Sequence, residues 1–352
     1  MDVRTRELLT STIRCGIFIE GNKRLLPSTL NDIIESHHVY SIAYDEALND
    51  NLLTEVEAED WIVSNGFWGE KEDMELLDLK NNIELKKLRM YENSDNSVFV
   101  EKNRKSLRLL ENLHSQKSNI KHSYYSQTCE AFADSAKLNF ILQRTFYIGK
   151  KLLPKDYDMN SVVGMYNRSI FPENYIRNLA RNEPWRSLWV ASKKVNFKLF
   201  LNKEDEDLTI NQKNLILWST TYDSIQDSYD PPNEKVLSDD DLLDGWFIFQ
   251  RKKREKEEKK KKLDEKFGSI KSSNVRAGGK NETFVMVNKE EGFDAKSIYE
   301  MNDPASMSTI HRRSKALSEK GQLSYTDLPD IQDEAHISAQ RAIQARSGGR
   351  RG

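Results

Sequence analysis

Apolar residues recur every three or four positions through most of the first 250 residues, and this spacing predicts a mostly α-helical body. Proline and glycine, which interrupt helices, are scarce, at 8 and 15 residues. The pattern therefore predicts an irregular bundle of helices. They are expected over 55–64, 70–91, 97–113 and 122–147, with shorter helices beginning near Pro172, near Pro184 and after Thr209.

Capping residues and apolar stripes define these helices further. Thr54 with Glu57, Thr209 with Gln212, and Ser238 with Asp241 each match a capping box, in which the two residues exchange hydrogen bonds across the first turn. Side chains expected to face inward are Leu76, Leu79, Ile83 and Met90; Leu107, Leu110 and Leu113; Tyr125, Cys129, Phe132, Ala136 and Phe140; and Ile210, Leu217, Trp218, Thr221 and Ile225.

The most informative segment is a single long helix predicted over residues 238–267. Its first half carries Leu242, Leu243, Trp246 and Phe247, an apolar set that must pack against other residues. Its second half, Arg251–Lys262, has nine basic and three acidic residues and almost nothing to bury. We therefore expect the body to span residues 1–250 and this helix to protrude from it as a charged rod.

The sequence beyond this helix has a looser composition. Residues 268–282 are rich in Gly, Ser, Lys and Asn, which is typical of a flexible linker. Residues 283–288 favour a short strand, and 303–320 and 328–346 favour two exposed helices. Residues 283–346 are too poor in apolar side chains to fold alone, so we expect a partly disordered segment that binds a partner, and disorder over 347–352.

Charge divides along the chain in the same way. Residues 1–250 hold 31 basic and 40 acidic side chains, a net charge of −9, whereas residues 251–352 hold 23 and 16, a net charge of +7. One interpretation is a solvated acidic body with a solvated basic tail. The other is a tail that seeks nucleic acid or an acidic protein surface.

No motif for catalysis, a cofactor or a metal is visible in the chain. Cys15 and Cys129 do not suggest a disulfide framework, and no zinc-ligand spacing is present. His37-His38 is expected at the surface, because adjacent helical residues point in different directions. His114 and His122 lie near a predicted helix junction without a third ligand. Gly278-Gly279-Lys280 lacks the first glycine of a phosphate-binding loop.

Two clusters have both a structural and a functional interpretation. The carboxylates Asp239, Asp240, Asp241 and Asp244 are expected to cap a helix, with a cation site as the alternative. Trp185, Trp189, Trp218 and Trp246 are expected in the core, with an aromatic platform for bases or cations as the alternative. The chain has neither a signal-peptide pattern nor an apolar run of membrane-spanning length, so we expect a cytoplasmic location.

The layout of an acidic helical body, the segment Asp239–Arg254, a charged rod and a short strand–helix–helix tail resembles proteins from the tail and virion genes of large tailed bacteriophages. Tail assembly chaperones and baseplate assembly factors are the nearest kinds. The resemblance implies a protein of the infected host cytoplasm or the virion, which keeps another virion protein soluble or sits in the particle. It implies no catalytic residue.

Three hypotheses follow for function. The first is a non-enzymatic interaction protein that binds a phage structural or tail protein through Phe284, Val285, Met286, Val287, Ile298, Tyr299, Leu317, Leu328 and Ile331. The second, ranked lower, is a nucleic-acid-binding protein that uses Arg251, Lys252, Lys253, Arg254, Lys259, Lys260, Arg346, Arg350 and Arg351. The third is an enzyme whose site is assembled from scattered residues, which a deep polar pocket around Trp185, Trp189 and Trp218 would favour. The oligomeric state stays open.

Overall fold

The computed structural model describes residues 1–154, 157–194 and 197–274, together with His311, Ser314 and Lys315. Contacts divide the chain into two units, Met1–Lys252 and Lys253–Gly352. The first unit is called the body below. The second unit is described from Lys253 to Asn274, which is helical, and at the three separate residues.

Helices dominate the described residues, which confirms the mostly α-helical fold class. The helices are α1 (Val3–Cys15), α2 (Leu30–Asn49), α3 (Glu55–Ser64), α4 (Glu70–Glu92), α5 (Ser97–Ser123), α6 (Cys129–Thr145), α7 (Met159–Ser169), α8 (Glu173–Arg181), α9 (Trp185–Lys194), α10 (Ile210–Gln226), α11 (Glu234–Ser238) and α12 (Asp240–Asn274). The strands are β1 (Phe18–Glu20), β2 (Lys23–Leu25), β3 (Phe146–Ile148) and β4 (Lys151–Leu152).

Two of the three predicted capping boxes are confirmed. The backbone N–H of Thr54 donates to Oε2 of Glu57 at 2.9 Å, and the N–H of Glu57 donates back to Oγ1 of Thr54 at 3.3 Å. Thr209 and Gln212 exchange the same pair of bonds at 2.8 and 3.4 Å. Both helices begin where the sequence predicts because a cap is a local interaction that needs only residues within one turn.

The third capping box is wrong. Ser238 ends the short helix α11, and its hydroxyl donates to the carbonyl of Lys235 at 3.0 Å. Asp239 caps α12 instead, since its Oδ1 accepts the N–H groups of Asp241 at 3.1 Å and Leu242 at 3.2 Å. A carboxylate at this position also neutralises the positive end of the helix dipole.

The helix predicted over 122–147 is also wrong at both ends. α5 continues to Ser123, so His114 and His122 lie on one helix and not at a junction. α6 begins at Cys129, where the Thr128 side chain caps it, and the chain enters β3 at Phe146.

Several predicted inward faces are turned toward solvent. Leu113, Phe132 and Leu217 are 41%, 48% and 61% exposed, whereas neighbouring Ala133 and Leu215 are fully buried. The exposure of Phe132 follows from the packing of α2 against α6. The two helices meet through small buried side chains, among them Ala43, Ala47 and Ala133. Close helix packing selects the face with small residues, although the larger apolar side chains lie elsewhere.

A small antiparallel sheet was not predicted. β1 pairs with β2, β2 with β3, and β3 with β4, with Arg24 opposite Tyr147 in the central pair. Gly21, at φ +60°, turns the chain between β1 and β2, and Gly149, at φ +64°, turns it between β3 and β4. Gly21-Asn22 is a two-residue hairpin signal, and the helical spacing of the apolar residues around it led to its being overlooked.

The body has two main apolar cores. The larger is formed mainly by α5, α8, α9, α10, α11 and the first turns of α12, and Trp185 at its centre is fully buried. The second, around Leu142, Phe146, Val162 and Met165, joins α6 and α7 to the sheet. Leu242, Leu243 and Trp246 belong to the larger core, and Phe247 packs partly against it, so the first half of the long helix is buried as predicted.

The two cysteines are free thiols. Cys15 is exposed and Cys129 is buried, and neither forms a disulfide. Within the described part of the chain, no helix is both long enough and apolar enough to cross a membrane.

Gly245 sits where α12 crosses α4. A Cβ at this position would overlap the carbonyl oxygen of Lys87 and lie 2.7 Å from Cβ of Tyr91. We expect Gly245→Ala to lower the free energy of unfolding by about 1–3 kcal/mol, because either helix must shift to admit a methyl group. The measurement is the midpoint of chemical denaturation followed by circular dichroism.

Gly164→Ala on α7 is the matched control. A Cβ there would meet only the guanidinium end of Arg168, at 3.5 Å, which is an ordinary van der Waals distance. The same substitution should leave stability unchanged or raise it by up to about 1 kcal/mol through helix propensity. Equal stability of the two variants would contradict a close crossing at Gly245.

Candidate functional site on the long helix

Four aspartates lie at the start of α12: Asp239, Asp240, Asp241 and Asp244. Capping accounts for Asp239, but each of the four also pairs with a cationic side chain from α4, α5 or α8. This set of aspartates and their cations is called the aspartate–arginine network below. It fixes the root of α12 on the body.

Two arginines of α5 bind the first turn of α12. Nε of Arg104 donates to Oδ2 of Asp241 at 3.0 Å, and its Nη2 donates to Asp239. Nη2 of Arg108 donates to both carboxylate oxygens of Asp241, at 3.0 and 2.9 Å. Asp241 is therefore held by two guanidinium groups and is only 6% exposed.

Two arginines of α8 bind the other two aspartates, Asp244 and Asp240. Nη2 of Arg177 donates to Oδ1 of Asp244 at 2.6 Å. Nη1 of Arg181 donates to Oδ1 of Asp240 at 2.7 Å and to the carbonyl of Leu237 at 3.1 Å. Burial alone lowers the pKa of Arg177, but the charge and hydrogen bond of Asp244 outweigh burial and raise that pKa, so the arginine stays charged.

Lys87 of α4 completes the network. Its Nζ lies 2.8 Å from Oδ2 of Asp244 and 3.4 Å from Oε1 of Glu111. Burial by itself lowers the pKa of Lys87, yet the hydrogen bond to Asp244 and the charges of Asp244 and Glu111 exceed that effect and raise the pKa. Lys87 is therefore an ammonium ion at neutral pH.

The four aspartates bind side-chain cations of the body, so the alternative interpretation as a metal-ion site is not favoured. Their carboxylates are directed at guanidinium and ammonium groups of the body, which supply the positive charge that a metal ion would otherwise provide. Across residues 1–154, 157–194 and 197–274, no group of three or more His, Cys, Asp or Glu side chains is arranged to hold a metal ion. His37 and His38 are both exposed on α2, as expected.

The tryptophans are parts of the packing. Nε1 of Trp185 donates to Oγ of Ser219 at 2.8 Å, and the ring stacks on Trp189 with 6.4 Å between centroids. The guanidinium carbon of Arg177 lies 3.9 Å from the Trp218 ring centroid, and Trp246 is 5% exposed. Burial and these contacts occupy the ring faces that an aromatic platform would need.

The residues Arg251–Lys262 of α12 form the basic segment. Arg251, Lys252, Lys253, Arg254 and Lys259 are exposed, and Nη2 of Arg251 donates to Oε2 of Glu84 at 2.5 Å. The structure thus places these five predicted nucleic-acid contacts on one helix. The side chain of Lys260, and Arg346, Arg350 and Arg351, lie outside the described residues.

Helical geometry separates the charges of the basic segment. At about 100° per residue, four lysines fall within an arc of about 120°, and the three glutamates fall on the rest of the circumference. The lysines are Lys252, Lys253, Lys256 and Lys259. This arc, the lysine face below, presents positive charge without an interposed carboxylate.

The predicted partner-binding residues lie outside the described residues. These are Phe284, Val285, Met286, Val287, Ile298, Tyr299, Leu317, Leu328 and Ile331, and the strand predicted over 283–288 lies there too. Within the helix predicted over 303–320, His311, Ser314 and Lys315 are helical and exposed.

Sequence reasoning missed the cationic half of the network. Arg104 and Arg108 are four residues apart on α5, and Arg177 and Arg181 are four residues apart on α8. Residues at that spacing share a helix face. Two such arginine pairs, together with an aspartate-rich helix start, were the signal that pointed to an internal ion-pair network.

Comparison with known proteins gives no family for this chain: no family model, curated protein or solved structure matches it.

Proposed function

We propose that the chain is a non-enzymatic interaction protein. In this proposal the body holds α12 by its root, and residues 283–346 bind another protein. The observation that carries it is the aspartate–arginine network, which fixes the first turns of α12 while the basic segment that follows is exposed. A fixed root gives the sequence beyond it a defined point of departure from the body.

The layout resemblance supplies the kind of partner. We propose a structural or tail protein of a tailed phage, which the chain delivers to a growing particle or accompanies within it. The location that goes with this role is the cytoplasm of the infected host or the virion. Residues 1–250 and residues 251–352, with net charges of −9 and +7, give the partner two parts of the chain with opposite charge.

A substitution in the predicted strand tests this proposal. The tagged chain and the variant Phe284→Asp with Val287→Asp are used to capture proteins from phage-infected cells, and the captured proteins are identified by mass spectrometry. We expect one phage structural protein to be enriched by the natural chain and lost from the variant. Two buried carboxylates without partners would oppose strand pairing or helix docking.

Arg350→Gln with Arg351→Gln is the control for that experiment, since it alters the same part of the chain without touching the apolar residues. It should retain the partner. Thermal denaturation of all three proteins checks that the body is equally stable. Capture that is equal for the natural chain and the Phe284/Val287 variant would refute the assignment of the binding segment.

A second candidate function is nucleic-acid binding, which the lysine face favours. Four exposed lysines on one side of a helix match the repeated phosphates of a nucleic-acid backbone, and such contacts release counterions. We expect the natural chain to shift a short DNA or RNA duplex at low salt. The affinity should fall steeply as salt rises.

The lysine face has a matched test. Replacing Lys252, Lys253 and Lys256 by Gln should weaken that binding at least about tenfold at low salt, because each lost phosphate contact removes the gain from counterion release. The dependence of the affinity on salt should fall as well. Replacing Lys71, Lys102 and Lys105, exposed lysines of α4 and α5, should have a smaller effect. No mobility shift for the natural chain at low salt would eliminate this candidate.

A further inference from the structure

A cavity of about 260 Å³ lies inside the body, away from the aspartate–arginine network. It is lined by residues of α1, α2, α6, α7, α10 and the β1–β2 hairpin. Ile13, from the larger core, and Leu142, from the second core, both line it. The cavity therefore marks the seam at which the two cores of the body meet without filling the space between them.

The lining is largely apolar. Phe18, Leu25, Leu138 and Ile141 contribute side chains, in addition to the two core residues already named. An enclosed cavity of roughly 150 Å³ lined by Leu, Ile and Phe alone stays free of water and holds a benzene molecule. The cavity in this body is larger, so it has room for a bigger apolar molecule.

Several of the polar side chains around the cavity are hydrogen-bonded within the body. The hydroxyls of Thr12, Thr145 and Ser169 each donate to a carbonyl of their own helix, at 2.9, 2.9 and 2.6 Å. Asn211 accepts the N–H of Phe171 at 2.9 Å and donates to the carbonyl of Ser169 at 2.7 Å. These groups offer few free hydrogen-bonding partners to a polar occupant. Moving a polar molecule from water into the cavity would therefore be unfavourable.

The cavity is accessible from the start of α10. Ile210 lines it and is 43% exposed. Lys213 and Asp207 also line it, and they pair with each other at 2.6 Å while remaining in part exposed. An ion pair at this side neutralises its own charge, so the entrance selects neither an anion nor a cation.

We propose that this cavity binds one small, uncharged apolar molecule, an aromatic or short aliphatic hydrocarbon group larger than benzene. Such a molecule would fill the space between the two cores and so favour the folded body over the unfolded chain. This inference goes beyond the proposed function, because it concerns neither residues 283–346 nor the basic segment.

Naphthalene and 2-naphthoate form a matched pair of probes, since they share a ring system and differ by a carboxylate. The full chain, labelled at Ile and Leu methyl groups, is titrated with each and followed by NMR. We expect naphthalene to cause saturable shifts of the Ile13, Leu138 and Leu142 methyls. 2-Naphthoate should bind at least tenfold more weakly, because its charge would lose its hydration.

Leu138→Phe fills part of the cavity and should weaken naphthalene binding at least tenfold. Leu109→Phe on α5 makes the same change where the side chain is 61% exposed and should not affect binding. Ile141→Phe replaces the first variant if that one does not fold. The proposal is overturned by a lack of saturable shifts, by equal binding of 2-naphthoate, or by unchanged binding in the cavity-filling variant.

Discussion

The attachment of α12 to the body depends on four carboxylates being neutralised by cations from three other helices. Asp239, Asp240, Asp241 and Asp244 are brought close together by one helical turn and a half, which is unfavourable unless positive charge surrounds them. The arginines of α5 and α8 and the lysine of α4 provide that charge. Breaking such a network is costly, because removing a single partner leaves an unpaired charge in a low-dielectric environment.

Packing reinforces the same arrangement. Gly245 allows α12 to approach α4 closely, and Leu242, Leu243 and Trp246 enter the larger core on the side away from solvent. Beyond these contacts the basic segment carries only charged residues, so the helix changes from a buried element to an exposed one within a few residues. Both proposed functions depend on this exposed part of the helix. In the first it leads to the proposed binding segment, and in the second its lysine face contacts phosphates.

The sequence predicts the local features of this fold well and the nonlocal ones poorly. The capping boxes of α3 and α10 and the buried first half of α12 follow from residues within one or two turns, and all three are confirmed. Phe132 and Ser238 were misplaced for different reasons. The helix partner selected the small-residue face of α6, and the unforeseen α11 ends at Ser238, one residue before the cap at Asp239. The arginines of the network lie more than 50 residues from their aspartates in the sequence. The spacing of residues within one helix does not predict contacts between residues so far apart.

Amide hydrogen exchange in α12 tests the central claim most directly. The comparison is between the natural chain, Asp241→Asn and the surface control Asp78→Asn, with the amides of α6 as an internal reference. If the network holds the root of α12, Asp241→Asn accelerates exchange of the amides from Leu243 to Phe249 by about tenfold or more relative to α6, as expected for losing charged hydrogen bonds. Asp78→Asn leaves the ratio unchanged. Equal ratios in the natural chain and Asp241→Asn would show that the root of α12 is held by something other than this network.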